Sequence, residues 1–218
     1  MKIAIQCAGK KRSSAGSLVS DCGKRVMFVA SPQLAPPNSE LIYAHPDDAS
    51  DDGHTWRVRL LDYNARSLQD NPLNLLPAYM LYTNIVYAAL VHKFGVENVY
   101  ILSAGWGLIR ADFLTPAYDI TFSSTQNKHI KRSPKMTFAD FNMLKDDGDD
   151  IVFIGGKSYQ PLFCQLLQNY DCRKSIIYNS VAPPDLPHGF EAVLYETSMR
   201  TNWHYKFAAE LAEDVVEF

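Results

Sequence analysis

Short, continuously apolar segments that alternate with helical patterns constrain the fold of this chain more than any other feature. Lys2–Cys7, Val99–Ser103 and Ile151–Ile154 are nearly uniform apolar runs, as strands are when both faces of a parallel sheet are covered. Strands alternating with helices favour a three-layer α/β domain with a mostly parallel central sheet. The 218 residues suit a single domain, 1–218, whose core needs neither disulfides nor metal. The pattern predicts these further strands: Val26–Ala30, Ser175–Asn179 and Ala192–Tyr195.

Apolar residues at three-to-four spacing predict the helices of the layers that cover this sheet. Asn71 and Pro72 supply an N-cap and a proline at the first helical position, and Gly95 ends the long helix that follows. The other predicted helices are Pro161–Tyr170 and Asn202–Val216.

Two segments depart from this alternation. Residues 36–63 read as a β-hairpin inserted into the core, with strands Glu40–Ala44 and Thr55–Leu61 joined by an acidic loop. The second strand alternates apolar and basic residues with period two, so we expect Trp56, Arg57 and Arg59 to project toward a DNA duplex. Residues 122–141 form the second segment, a polar, basic and irregular loop.

Composition narrows the classes of function and the compartment. The net charge of −3 does not indicate a nucleic-acid binder, so any such role depends on local patches. Apolar runs are too short for a signal peptide or a membrane span, and the cysteines show no CxxC spacing. We therefore expect a cytoplasmic protein with reduced thiols, no metal and no cofactor.

The loop after the third core strand carries the most informative motif, ILSAGWGLIRADFLTPAYDITFS. In open parallel sheets, ligands bind beyond the carboxyl ends of the strands. Gly105 and Gly107 allow a tight turn around Trp106. Asp112 and Asp119 follow, and a carboxylate here could activate water or stabilise a cationic transition state. On residue type alone, a structural role in turns is the more common one for both aspartates.

Basic residues cluster in the other strand-end loops and could contact phosphates. A solvated basic surface explains the first cluster equally well, and a mobile surface loop is the alternative for the cluster in 122–141. Asn202 and His204 open the last helix near the same edge, where His204 is either an acid-base group or a packed or capping histidine. The candidate phosphate contacts are Lys10, Lys11, Arg12, Lys131, Arg132 and Lys157.

Three of these motifs form an ordered set that resembles a known family. Cys7 with Lys10-Lys11, the helical segment Leu81-Tyr82-Thr83, and the ILSA-x-x-GL…YD segment resemble bacterial and phage proteins that are similar to the YaaA peroxide-stress family. Those proteins in turn resemble the uracil-DNA-glycosylase-like α/β sheet. The match covers 2–7 and 71–122, plus the GGKSY turn at 155–159. The chain departs from the pattern at Trp106, at Pro-Ala-Tyr-Asp and in the 36–63 insertion, and it lacks the water-activating GQDPYH and HPS motifs.

The resemblance implies work on nucleic acid. It carries over these candidate site residues: Lys11, Tyr82, Trp106, Asp112, Tyr118 and Asp119. We expect a metal-independent DNA glycosylase that excises a modified base, for example glucosylated hydroxymethylcytosine in phage DNA. It would act as a monomer, without a membrane, on double-stranded DNA with a flipped base. Trp106 and Tyr118 would stack on that base. A carboxylate would stabilise the sugar cation, and Asp112 is preferred to Asp119 for this role.

Two alternatives remain open at this point. One is a non-catalytic DNA-binding protein of the YaaA type, whose affinity would fall with salt and survive the loss of both aspartates. The other is a nucleoside- or nucleotide-processing enzyme that uses the same edge of the sheet on a small molecule.

Overall fold

The computed structural model describes residues 1–66 and 70–216. The apolar runs form the middle of the sheet, where burial on both faces selects uniformly apolar strands. The strands are β1 (Lys2–Gln6), β2 (Arg25–Val29), β3 (Leu41–Ala44), β4 (Leu76–Pro77), β5 (Val99–Ser103), β6 (Gly107–Arg110), β7 (Leu114–Thr115), β8 (Tyr118–Asp119), β9 (Phe141–Asn142), β10 (Ile151–Ile154), β11 (Lys174–Tyr178) and β12 (Phe190–Leu194).

Within the described residues, the central sheet has seven strands in the order β12-β11-β10-β1-β5-β6-β9. Its pairs are parallel except for β5 with β6, which run antiparallel. Ile3 lies opposite Val152 on one side and Val99 on the other, so β1 is the middle of the core. The predicted α/β class with a mostly parallel sheet is confirmed.

Helices cover this sheet and complete the three layers. α3 and α5 pack against each other, with α3 on β1 and β5 and α5 on β10, whereas α4 contacts β6. Phe163 of α4 stacks on Phe153 of β10 with ring centroids 4.7 Å apart. The helices are α1 (Trp56–Arg66), α2 (Ala78–Leu81), α3 (Val86–Phe94), α4 (Gln160–Leu167) and α5 (Trp203–Ala212).

A second, smaller sheet holds β2, with β3 on one side and β8 on the other, all parallel. The predicted strand at Val26–Ala30 exists, but it belongs to this sheet rather than to the central one. Phe28 lies opposite Tyr118 and packs edge-on against Trp106, at 5.0 Å between ring centroids. Pairing with β2 in the small sheet therefore holds residues 118–119 beside the carboxyl end of β5.

The predicted hairpin at 36–63 is wrong. β3 pairs with β2, and residues 56–66 form helix α1 instead of a second strand. Thr55 caps this helix, since its Oγ1 accepts a hydrogen bond from the Val58 amide at 3.2 Å. Trp56 and Leu60, one helical turn apart, are buried, which joins this segment to the core.

The predicted long helix ending at Gly95 is also divided. Asn71 and Asn74 adopt positive φ angles of 32° and 51°, and the Asn71 amide bonds both the N–H and the carbonyl of Leu75. β4 follows and pairs with β7, because Pro77 cannot continue a helical hydrogen-bond ladder. The α-helix that ends at Gly95 begins only at Val86. The other two predicted helices, α4 and α5, are present but shorter.

Among residues 1–66 and 70–216, no helix combines the length and the apolar character that crossing a membrane requires.

Candidate functional site

A pocket of about 330 Å³ opens at the carboxyl ends of β1 and β10. The chain builds the β5 side of the sheet first and then crosses to the β10 side of β1. Such a reversal creates the crevice in which open α/β sheets bind ligands. The polar residues that line it include Gln6, Cys7, Asp119, Tyr159, Asn202 and His204.

Two larger cavities lie elsewhere. One, of about 520 Å³, runs between α4 and residues 184–187. The other, of about 670 Å³, surrounds Asp112. Neither cavity is lined by the polar residues named above for the smaller pocket. The pocket between β1 and β10 is therefore the candidate site.

Gln6 selects the tautomer of the pocket histidine, His204. Its Oε1 accepts the Gly156 N–H at 2.6 Å, which leaves its amide NH₂ to donate to His204 Nε2 at 3.0 Å. His204 Nε2 is therefore an acceptor, and the ring proton sits on Nδ1. Burial lowers the pKa of His204 to about 4, so the ring is neutral at physiological pH.

Cys7 and a cluster of tyrosines form the floor beside this pair. Cys7 Sγ lies 3.3 Å from the Tyr159 hydroxyl and 3.5 Å from the Ala104 N–H. The hydroxyls of Tyr82 and Tyr118 are 2.9 Å apart. Burial raises the pKa of all three tyrosines well above the ordinary value, so they remain uncharged. The tyrosine hydroxyls of the floor are thus buried and uncharged.

Lys11 lies beside this floor with its Nζ 4.0 Å from the centre of the Tyr118 ring. Burial lowers the pKa of its amine, and the negative charge of Asp119 opposes that shift. Lys11 is half-buried, so it differs physically from its exposed neighbours Lys10 and Arg12.

Asp119 stands at the rim of the pocket with an exposed side chain. It is the last residue of β8 and lies opposite Val29 of the small sheet. The structure therefore brings Asp119 together with Asn202 and His204, as the sequence predicts. Asn202 reaches this place through a left-handed backbone, φ 58°, which asparagine tolerates better than most residues.

Asp112 lies at the amino end of β5, on the side of the sheet opposite the pocket, so its predicted place in the site is wrong. β6 runs antiparallel to β5 and returns the chain to the amino end of that strand, where Ala111 N–H bonds Val99 O. The Asp112 carboxylate forms an exposed ion pair with Arg110, at 2.5 Å between the closest atoms. Asp112 is close in sequence to the Gly-Trp-Gly turn, but the reversal of chain direction at β6 places it far from that turn.

Trp106 cannot stack on a base as predicted, because its side chain is fully buried. Its ring stacks parallel to Phe141 at 6.4 Å between centroids. Gly107 has φ +87°, and a Cβ there would meet the Phe141 carbonyl oxygen at 2.4 Å, so glycine is required for packing. Gly105 is likewise buried. Tyr82 and Tyr118 lie beneath the pocket, since both are almost fully buried.

The predicted phosphate contacts divide into exposed and buried groups. Arg132 is buried, pairs with both carboxylate oxygens of Asp140 and donates to Ala104 O, so its predicted phosphate role is wrong. Arg12 is exposed, although its Nε donates to Met80 O at 2.8 Å. The remaining exposed cations at this edge are Lys10, Lys131 and Lys157.

Gln6, Cys7 and Tyr159 line the pocket although the sequence motifs do not point to them as site residues. Gln6 is a polar residue at the end of an otherwise apolar strand, which was an available signal. Cys7 belongs to the first motif of the family resemblance. Tyr159 is the last residue of the GGKSY turn. Their proximity arises from strands 150 residues apart in sequence, which no local pattern reveals.

Comparison with protein-family models, curated proteins and solved structures finds no match to this chain.

Proposed function

We propose that this protein is a DNA glycosylase that excises a modified base, such as glucosylated hydroxymethylcytosine, by hydrolysis with Asp119 as the reacting carboxylate. The observation that carries the proposal is the position of Asp119 on the rim of a polar pocket at the reversal point of the sheet. DNA of phage origin would meet such an enzyme in the cytoplasm.

The size and lining of the pocket suit a flipped base. Its volume of about 330 Å³ is at the lower end of ligand pockets, which hold on the order of 300–1,000 Å³. A base extruded from the duplex is read by hydrogen bonds to its polar edge. The Asn202 amide and the neutral His204 imidazole line the pocket and offer both donors and acceptors.

A carboxylate at the rim suits the chemistry of N-glycosidic cleavage. Breaking this bond leaves positive charge on the sugar, and a nearby carboxylate stabilises it while positioning the attacking water. The sugar of a flipped nucleotide stays at the mouth of the pocket while the base enters. Asp119, exposed at that mouth, is therefore better placed for this role than a carboxylate on the buried floor.

Exposed cations around the pocket support a polynucleotide substrate. Lys10 and Arg12 follow β1, Lys157 follows β10, and Lys131 pairs with Thr121 of the pocket lining. Cations on separate loops can contact phosphates on both sides of a flipped nucleotide. A free nucleoside would have no use for them.

The test compares Asp119→Asn with Asp112→Asn, since both remove one exposed carboxylate and only Asp119 lines the pocket. Modified phage DNA and matched unmodified DNA are incubated with each variant, and released base and abasic sites are quantified. We expect Asp119→Asn to lower turnover by about 10²–10⁴-fold, the usual range for such a group. Asp112→Asn should retain activity.

Equal activity of both variants would remove Asp119 from the mechanism. Salt-sensitive DNA binding without base release from any modified DNA would favour the non-catalytic alternative. Cleavage of free nucleosides, with DNA left intact, would favour the small-molecule enzyme.

A further inference from the structure

Lys11 combines a fixed backbone with a loosely held amine. Its backbone forms an antiparallel bridge with Tyr82, and the next amide, of Arg12, donates to Leu81 O at 2.8 Å. Its Nζ contacts the carbonyl oxygens of Ala8 and Gly9 at 3.5 and 3.4 Å, which are long for hydrogen bonds. These two residues line the pocket, so the amine lies directly beside it.

Burial makes the neutral, nucleophilic form of this amine easier to reach than that of an exposed lysine. The groups that Nζ touches are two carbonyls and an aromatic face, and none of them carries a full charge. Burial lowers the pKa of the Lys11 amine and outweighs the opposing effect of the Asp119 carboxylate. Desolvated lysines of this kind form Schiff bases with carbonyl compounds.

We propose that Lys11 is a nucleophile toward the aldehyde of an abasic deoxyribose, so that the pocket also cleaves the DNA strand at an abasic site. The inference rests on the proposed function, because hydrolysis of the glycosidic bond generates that aldehyde within reach of the pocket. It adds a second activity, strand cleavage by β-elimination, to base release.

The reaction balances without any external oxidant or reductant. The neutral amine adds to C1′ of the ring-opened sugar, and the adduct takes up one proton from solvent and loses water to leave a protonated imine. A base, for which Asp119 is available, removes a proton from C2′, and the electron pair forms a C2′=C3′ double bond as the C3′–O bond to phosphate breaks. The phosphate leaves with the bonding electrons, and water hydrolyses the imine to release the unsaturated aldehyde and restore Lys11.

Cys7 does not substitute for Lys11 in this reaction. A thiol adds to an aldehyde to form a thiohemiacetal, which lacks the positive nitrogen that makes the C2′ proton acidic. The Cys7 thiol is also buried and held between the Tyr159 hydroxyl and the Ala104 N–H. The amine and not the thiol is therefore the group to test.

The experiment uses the full-length protein and a duplex that contains one preformed abasic site. Sodium cyanoborohydride reduces an imine to a stable amine, so it captures a covalent protein–DNA adduct. We expect the wild-type protein to form the adduct and peptide mapping to locate it at Lys11. Lys11→Arg keeps a long basic side chain but removes the amine, so it should lose the adduct. Lys24→Arg changes an exposed lysine that does not line the pocket and should retain it.

An adduct mapped to another residue, or one retained in Lys11→Arg, would overturn the proposal. So would the lack of any wild-type adduct with a duplex that the protein binds. Mapping on the wild-type protein decides the matter even if Lys11→Arg fails to fold. Because the abasic site is preformed, an adduct at Lys11 without base release from any DNA would refute the glycosylase alone, and base release without an adduct would refute the Lys11 proposal alone.

Discussion

At the scale of single residues, the Gln6 amide controls the chemistry of the pocket. By accepting from Gly156 and donating to His204, it holds the imidazole in one tautomer. A neutral His204 can orient a base through hydrogen bonds but does not supply a proton at pH 7. The proposed mechanism therefore assigns acid-base work at this edge to the exposed Asp119 and to the amine of Lys11.

The His204 environment predicts a pH dependence of stability. Its pKa is about 4 in the folded state against an ordinary value of 6.5, so the unfolded chain binds the extra proton between these values. The free energy of unfolding should be unaffected by this group above pH 6.5 and fall by up to about 3 kcal/mol as the pH drops to 4. Urea unfolding of wild type and His204→Gln across this range measures the difference.

The His204→Gln variant should show a shallower loss of stability with acid, whatever its stability at neutral pH. His92→Gln serves as the control because His92 is exposed. The same acid slope in wild type and His204→Gln would mean that other groups cause the loss.

At the scale of elements, α1 explains why alternation alone is a poor guide in a short segment. Apolar residues at 56, 58 and 60 fit a strand, whereas the pair 56 and 60 also fits one face of a helix. The helix forms because Thr55 caps it and because this register buries Trp56 and Leu60 while Val58 remains exposed. Arg57 is buried too, and it donates to Gly105 O and Trp106 O.

The role of α1 in the core predicts that its apolar residues differ sharply in importance. Trp56→Ala should lower the free energy of unfolding by about 3–5 kcal/mol, because it removes a buried aromatic ring. Val58→Ala, two residues away and exposed, should change it by less than about 0.5 kcal/mol. Chemical denaturation of both variants provides the measurement. A similar loss in the two would indicate that α1 is not packed as described.

At the scale of the whole molecule, the order of the strands assembles the site. The carboxyl ends of β1 and β10 and the start of α5 meet at one edge, and β8 joins them through the small sheet. Exposed cations lie at this same edge although the net charge of the chain is −3. The local charge near the pocket, which acts on a bound phosphate, is therefore more positive than the net charge of the chain.

This arrangement predicts salt-dependent binding of DNA through one edge of the molecule. Each phosphate contact contributes about 0.9 to the slope of log affinity against log salt concentration. Replacing Lys10, Lys131 and Lys157 together by glutamine should therefore lower the magnitude of that slope by up to about 3. Fluorescence anisotropy with a labelled duplex over a salt series gives the slope.

The control for this experiment changes the net charge equally at other positions. Lys24, Lys93 and Lys145 are exposed, and none of them lies in the segments directly after β1 and β10 or in the segment that pairs with Thr121 of the pocket lining. Their joint replacement by glutamine should leave the slope close to that of the wild type. Equal slopes for both triple variants would show that DNA does not bind at the pocket edge.

The sequence by itself determined the α/β class and the main strands. Short, uniformly apolar runs rich in β-branched residues, such as Ile151–Ile154, are typical of strands in the middle of a covered sheet, so their pattern is nearly sufficient. Pro77 was a local signal against one long helix, and Thr55 was a local signal for α1, although neither settles a structure without its neighbours. Local patterns were thus adequate where burial is uniform and ambiguous where it is one-sided.

The tertiary structure alone decided which candidates share a site. Asp112 and Asp119 lie seven residues apart in sequence, yet the reversal at β6 sends one to each edge of the sheet. Arg132 and Lys131 are adjacent, yet one is buried against Asp140 and the other is exposed. Strand direction and burial are properties of the packed molecule, because they depend on partners distant in the chain.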